Sequence, residues 1–122
     1  MPKNGVVIKT IVTTDMIEGI GKKYNIEVID VLTGFKYIGE KIKEFEQEGV
    51  KNFIFGFEES FGYLAGNFVR DKDAVIAAML ICEMTLYYKN KGISLYDALM
   101  NIYKEYGYYA ENLVSIELKG KD

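Results

Sequence analysis

The run Gly5-Val6-Val7-Ile8-Lys9-Thr10-Ile11-Val12 constrains this chain more than any other stretch. It is β-branched and nearly all apolar, with no alternation to leave one face in water, so a strand built from it needs cover on both faces. Such strands belong to parallel sheets flanked by helices. The next residues agree. Asp15-x-x-Glu18 has the spacing of a capping box, and Met16, Ile17, Ile20 and Tyr24 recur at helical intervals. Ile26 to Val31 reads as a second strand. After Thr33-Gly34-Phe35-Lys36 comes a helix with Tyr37, Ile38, Ile42 and Phe45 on one face, ending near Gly49, and Phe53 to Phe57 reads as a third strand.

A long polar segment, FGFEESFGYLAGNFVRDKDAV (residues 55–75), separates that strand from a helix over Ala74 to about Asn90. This helix is apolar around most of its first turns, which predicts burial of its N-terminal half on several sides. Ser94-x-x-Asp97 caps a further helix with Leu95, Leu99, Ile102 and Tyr106 directed inward. In the tail Tyr108, Ala110, Val114, Ile116 and Leu118 share one face, a period of two that suits a half-exposed edge strand. The order β-α-β-α-β-α-α-β predicts an α/β fold: a three-layer α/β/α sandwich around a small, mixed, four-stranded sheet. Its first three strands should be parallel with right-handed crossovers, and its last strand antiparallel at an edge. Residues 1–122 fit one such domain, with no internal repeat or linker.

Composition removes several functions. With no histidine, Ser-His-Asp triads, Cys-His pairs and His-ligated zinc are excluded, so any acid or base must be Asp, Glu, Lys, Tyr or Cys. A net charge of -3 argues against a nucleic-acid partner, which demands a concentrated basic surface. The longest wholly apolar run, Ala74 to Cys82, is too short to cross a bilayer, and no basic-then-apolar leader opens the sequence, so no membrane partner is expected. Cys82, the single cysteine, reads as a buried thiol in a reducing compartment, which makes the expected location cytoplasmic.

In an open α/β sheet, ligands gather beyond the carboxyl ends of the strands. Three loops qualify: Thr13-Thr14-Asp15, Thr33-Gly34-Phe35-Lys36 and the long segment. Glu58, Glu59 and Ser60 follow the third strand directly, and a carboxylate beside a hydroxyl can bracket neighbouring sugar hydroxyls. They are equally readable as solvated loop charges with Ser60 as a turn former. Arg70 and Lys72 flank a helix start, a combination that favours phosphate, although Asp71 or Asp73 would cap that helix in any case and the cations would then be surface charges. The Asp71/Asp73 pair is too slight for a metal site. No Walker or GxGxxG motif supports nucleotide binding.

Taken together, Thr33-Gly34-Phe35-Lys36, Phe55-Gly56-Phe57-Glu58-Glu59-Ser60-Phe61-Gly62 and Val69-Arg70-Asp71-Lys72-Asp73 resemble the third domain of the α-D-phosphohexomutases, the phosphoglucomutase/phosphomannomutase family, in its bacterial phosphoglucomutase branch. The resemblance covers nearly the whole chain. It implies a four-domain parent that interconverts hexose 1-phosphate and hexose 6-phosphate through a phosphoserine and a bisphosphate intermediate, with Mg2+ bound outside this chain. On this resemblance Glu58 and Ser60 match sugar-contacting residues, and Lys72 matches a lysine at the reacting phosphosugar. Thr33 and Gly34 line the cleft with Lys36 near them, and Glu59 and Arg70 are supporting matches. Phe57 departs from the Gly-Glu-Glu-Ser form common in the family. The implied partners are a hexose phosphate and the other domains of the parent, and the chain alone is expected to be inactive. The competing reading is a free-standing α/β anion- or sugar-binding module, or an interaction module, without catalysis.

Overall fold

The computed structural model describes residues 2–112, 114, 116 and 120. Strand β1 (Gly5–Thr10) is buried along its whole length and pairs in parallel with β2 (Glu27–Val31) on one side and β3 (Asn52–Phe57) on the other. The run ends as a strand at Thr10, because Ile11 and Val12 turn out into solvent. The fourth strand, β4 (Tyr63–Ala65), is antiparallel to β3 and lies at the edge, giving the order β2-β1-β3-β4. A mixed four-stranded sheet was expected, but its last strand comes from the long polar segment. The tail residues Tyr108–Asn112, Val114 and Ile116 carry no strand, while Leu113, Ser115, Glu117 and Leu118 lie outside the described residues. A three-residue strand is too short to show alternation, so composition concealed it.

Helices cover both faces. Helix α2 (Phe35–Glu48) places Phe35, Ile38, Ile42 and Phe45 against Val6, Ile8, Val31 and Leu64, and these eight side chains form the buried core. It stops at Gly49, whose left-handed φ of 66° returns its amide to the Phe45 carbonyl. On the opposite face α1 (Met16–Tyr24) lies over β2, where Gly21 approaches Val28 so closely that a Cβ would stand 2.8 Å from it. Helices α3 (Ala74–Asn90) and α4 (Leu95–Tyr106) complete that layer.

A bulge decides which aromatic faces which layer. Val6 pairs with Phe53 but Val7 pairs with Phe55, so Ile54 is an extra residue and the side-chain alternation of β3 reverses there. Phe53 packs on the α2 core, whereas Phe55 joins Tyr63 on the other face, their ring centroids 6.3 Å apart. The Ile54 side chain packs onto Gly5, where a Cβ would stand 2.4 Å from its Cδ1 and force that side chain to move.

Three local expectations change. Asp15 precedes α1 but makes no side-chain cap, because its carboxylate is drawn to Lys9. Cys82 is exposed, and α3 contains no buried residue despite its apolar sequence. Both follow from one cause: α3 touches the sheet chiefly at β4, a three-residue edge that cannot cover seventeen residues of helix. The Ser94 capping box on α4 forms, although of that helix only Ala98 is buried and Leu99 is 37% exposed. No described helix is long and apolar enough to cross a membrane.

Ile38 is fully buried against Gly56 of β3, so Ile38→Ala should lower unfolding free energy by about 2–5 kcal/mol in urea titrations. Val75→Ala, at an 80% exposed position of α3, should change it by no more than about 0.5 kcal/mol.

Candidate functional site

Because β1, β2 and β3 are parallel, the loops that follow them leave the same edge of the sheet. At the centre is Glu58, the residue after β3. Its side chain is only 4% exposed, and its Oε1 accepts hydrogen bonds from Ser60 Oγ and from Lys72 Nζ, each at 2.8 Å. The Phe35 amide, first in α2, also favours the charged carboxylate. Gly34, at φ 120°, brings the chain into α2 without a capping side chain, and Glu58 stands at the helix terminus that such a residue would have covered.

The loop is closed by the Glu58 amide donating to the Gly62 carbonyl at 3.0 Å, with Phe61 held at a left-handed φ of 59° and 84% exposed. Gly62 has a steric reason to be glycine: a Cβ there would lie 2.6 Å from Glu58 Oε1. Lys72 reaches the carboxylate through a chain of backbone pairings. Tyr63 pairs with Phe57 in the sheet, the Asp73 amide donates to the Tyr63 carbonyl at 2.8 Å, and Asp73 caps α3 through Val75 and Ile76. Lys72 is thereby fixed beside Glu58.

Lys72 holds Glu58 below the ordinary carboxylate range, aided by Ser60 and Phe35 against the opposing effect of burial. Glu58 in turn raises Lys72, which keeps its proton at neutral pH. A lysine in that state supplies charge and donates hydrogen bonds.

Thr33 is exposed, and Lys36, in the first turn of α2, extends from the same rim with its ammonium 4.8 Å from the Tyr37 ring centroid. Glu59 turns inward, where its Oε2 accepts from Thr10 Oγ1 at 2.8 Å. Arg70 is placed elsewhere: its guanidinium pairs with Glu46, eleven positions beyond Phe35 and about 16 Å along the helix axis.

Sequence reading passed over Lys9 and Thr10. Lys9 is fully buried in β1 and pairs with Asp15 and Asp30, each at 3.0 Å. Burial alone would lower its pKa, but the two carboxylates outweigh that and hold it raised. The available signal was two polar residues inside an otherwise apolar strand. A groove of about 630 Å3 lined by Asn4, Gly5, Asn25 and Lys51 opens at the other, amino-terminal edge of the sheet, away from this cluster.

Residues 1–106 match the family described as phosphoglucomutase/phosphomannomutase, alpha/beta/alpha domain III. The chain belongs to that family. Among curated relatives it is 38% identical over 122 residues to a phosphoglucomutase of Staphylococcus haemolyticus, covering all of this chain and 22% of that protein. It is likewise 38% identical over 118 residues to a phosphoglucomutase of Staphylococcus aureus, covering 97% and 21%. It therefore spans about a fifth of the length of these relatives. Two solved structures share the fold, both with a TM-score of 0.68. One is a putative phosphomannomutase from Thermus thermophilus, 21% identical over 85% of this chain and 22% of its own. The other is pp63/parafusin, a phosphoglucomutase from Paramecium in its open form, 23% identical over 88% of this chain and 19% of its own.

Glu58 contributes stability that is present above its unfolded pKa, near 4.5, and is lost as pH falls through its lower folded value. Carbon-13 titration of the side-chain carboxyl should place Glu58 below the ordinary range, and Lys72→Met should move its midpoint upward.

Proposed function

We propose that this chain is the sugar-phosphate-orienting domain of a phosphoglucomutase/phosphomannomutase. The observation that carries the reading is the buried, charged Glu58, which gathers a hydroxyl, an ammonium and a helix N-terminus at one rim. An ionised carboxylate accepts strong hydrogen bonds from neighbouring hydroxyls, so sugar hydroxyls can take the positions Ser60 and Lys72 occupy on Glu58. Ser60, once released, both donates and accepts. The Lys72 ammonium, the first amides of α2 and Lys36 draw the phosphate charge toward the same edge. Thr33 and Gly34 form the wall beside them.

In this reading the parent enzyme passes a phosphoryl group from a phosphoserine to the hexose phosphate, and the resulting bisphosphate turns over before returning the other phosphoryl group. Two opposed poses must then be held equally well. A carboxylate and a hydroxyl two residues apart can do this, because vicinal hydroxyls offer similar donors in either orientation. Lys72, protonated and raised further by its hydrogen bond to Glu58, stabilises developing charge. The phosphoserine and the magnesium ion are assigned to other domains, and the chain alone is proposed to be inactive. Among the described residues no three Asp, Glu or Cys side chains gather as metal ligands. A phosphosugar substrate and a lone cysteine both fit a reducing, cytoplasmic setting.

The protein partners in this reading are the remaining domains of the same polypeptide. Phe55, Tyr63, Ala77, Ile81 and Met84 border an apolar groove of about 490 Å3, continuous with the exposed apolar surface of α3. A relative's length leaves roughly four fifths of the enzyme available to cover it.

Titration of the labelled chain with glucose 6-phosphate should give weak, saturable amide shifts at Glu58 to Gly62 and at Lys72; shifts confined to other surfaces would overturn the assignment. Leu86→Glu, at a position 58% exposed on α3, should change the stability of this chain by no more than about 0.5 kcal/mol yet lower the melting temperature of a complete enzyme carrying it. Equal melting temperatures would overturn the assignment of the α3 face to a contact with another domain.

A further inference from the structure

Thr10 is a polar side chain at a core position. It continues the face of β1 that carries Val6 and Ile8, it is completely buried, and it pairs with Val31 in the last register position of β2. A hydroxyl there needs a partner, since an unsatisfied buried donor is costly. Its partner is the Glu59 carboxylate, 49 residues away in the loop that carries Glu58 and Ser60. Thr10 is itself held from behind, because the Thr13 hydroxyl donates to its carbonyl at 2.6 Å. The β1 neighbour Lys9 fastens the same corner through Asp15, Asp30 and the Thr13 carbonyl.

We infer that the Thr10 hydroxyl is a positioning group for the sugar-binding loop, acting through Glu59 to fix the alignment of Glu58 and Ser60. The inference rests on the reading of this loop given above. Glu58 and Ser60 are adjacent to Glu59 on either side, so a carboxylate anchored at that position sets the path of the backbone between them. A backbone bond from the Glu58 amide to the Gly62 carbonyl closes the loop. The loop also contains Phe61 at positive φ, a conformation that a non-glycine residue keeps only where its surroundings enforce it. Thr10 supplies that restraint from the sheet, through the Glu59 carboxylate that its hydroxyl reaches.

The experiment uses the 122-residue chain, backbone amide order parameters and glucose 6-phosphate as probe. Thr10→Val is close in shape and lacks the hydroxyl, and Thr10→Ser keeps it. Expected for Thr10→Val are lower order parameters at Glu58 to Gly62 in the unliganded chain and affinity weakened about five-fold, the size of one net hydrogen bond. Thr10→Ser should restore both. Glu59→Met, which removes the acceptor while leaving Thr10 in place, should reproduce the Thr10→Val result, and the double variant should be no worse than either single one. An unchanged loop in both Thr10→Val and Glu59→Met, or a Thr10→Ser chain that behaves like Thr10→Val, overturns the inference. If the unaltered chain shows no binding, the sugar-phosphate reading fails. The brace is still decided by the unliganded order parameters, which support it if they fall in Thr10→Val and recover in Thr10→Ser and refute it otherwise.

Discussion

A carboxylate taken out of water must be paired or protonated, and the arrangement around Glu58 follows from that constraint. Its side chain is almost wholly enclosed, and its charge is held by Lys72, Ser60 and the first amide of α2. Each of these comes from a different segment. Lys72 arrives from the start of α3, the amide from the β2–α2 connection, and Ser60 from the turn itself. Gly34 and Gly62 are consequences of the same demand, one leaving a helix terminus uncapped and the other giving the carboxylate room. Three segments are thereby tied to one carboxylate.

The two faces of the sheet are unequal. One is sealed by α2, whose four inward side chains meet the apolar face of β1 and β4 in a continuous core. The other is shared among three helices and leaves an apolar groove beside α3. The bulge at Ile54 contributes to the imbalance by sending Phe53 to the sealed face and Phe55 to the open one. The chain spans about a fifth of the length of its curated relatives.

Much of the fold was legible without coordinates. The residues of α2 recur at helical spacing and stop at Gly49, and α3 runs from Ala74 to Asn90 because Asp73 caps it. These signals act within a turn or two of chain. Asp15 was misleading for the opposite reason: its spacing to Glu18 suits a cap, but Lys9, buried on the neighbouring strand, competes for the carboxylate. β4 was missed because three residues carry no period. Cys82 read as buried because its neighbours are apolar, yet the sheet beneath α3 is too narrow to cover them.

By itself the sequence determined the strands β1 to β3 and the four helices, since local periodicity and caps are properties of neighbouring residues. Tertiary structure alone decided that Glu59 turns to Thr10, that Arg70 goes to Glu46, that Lys72 meets Glu58, and which edge strand completes the sheet. The reason is distance along the chain. Groups 14 to 49 residues apart find one another through packing of the sheet and helices, and no local pattern encodes which of several equivalent charges or hydroxyls will be nearest.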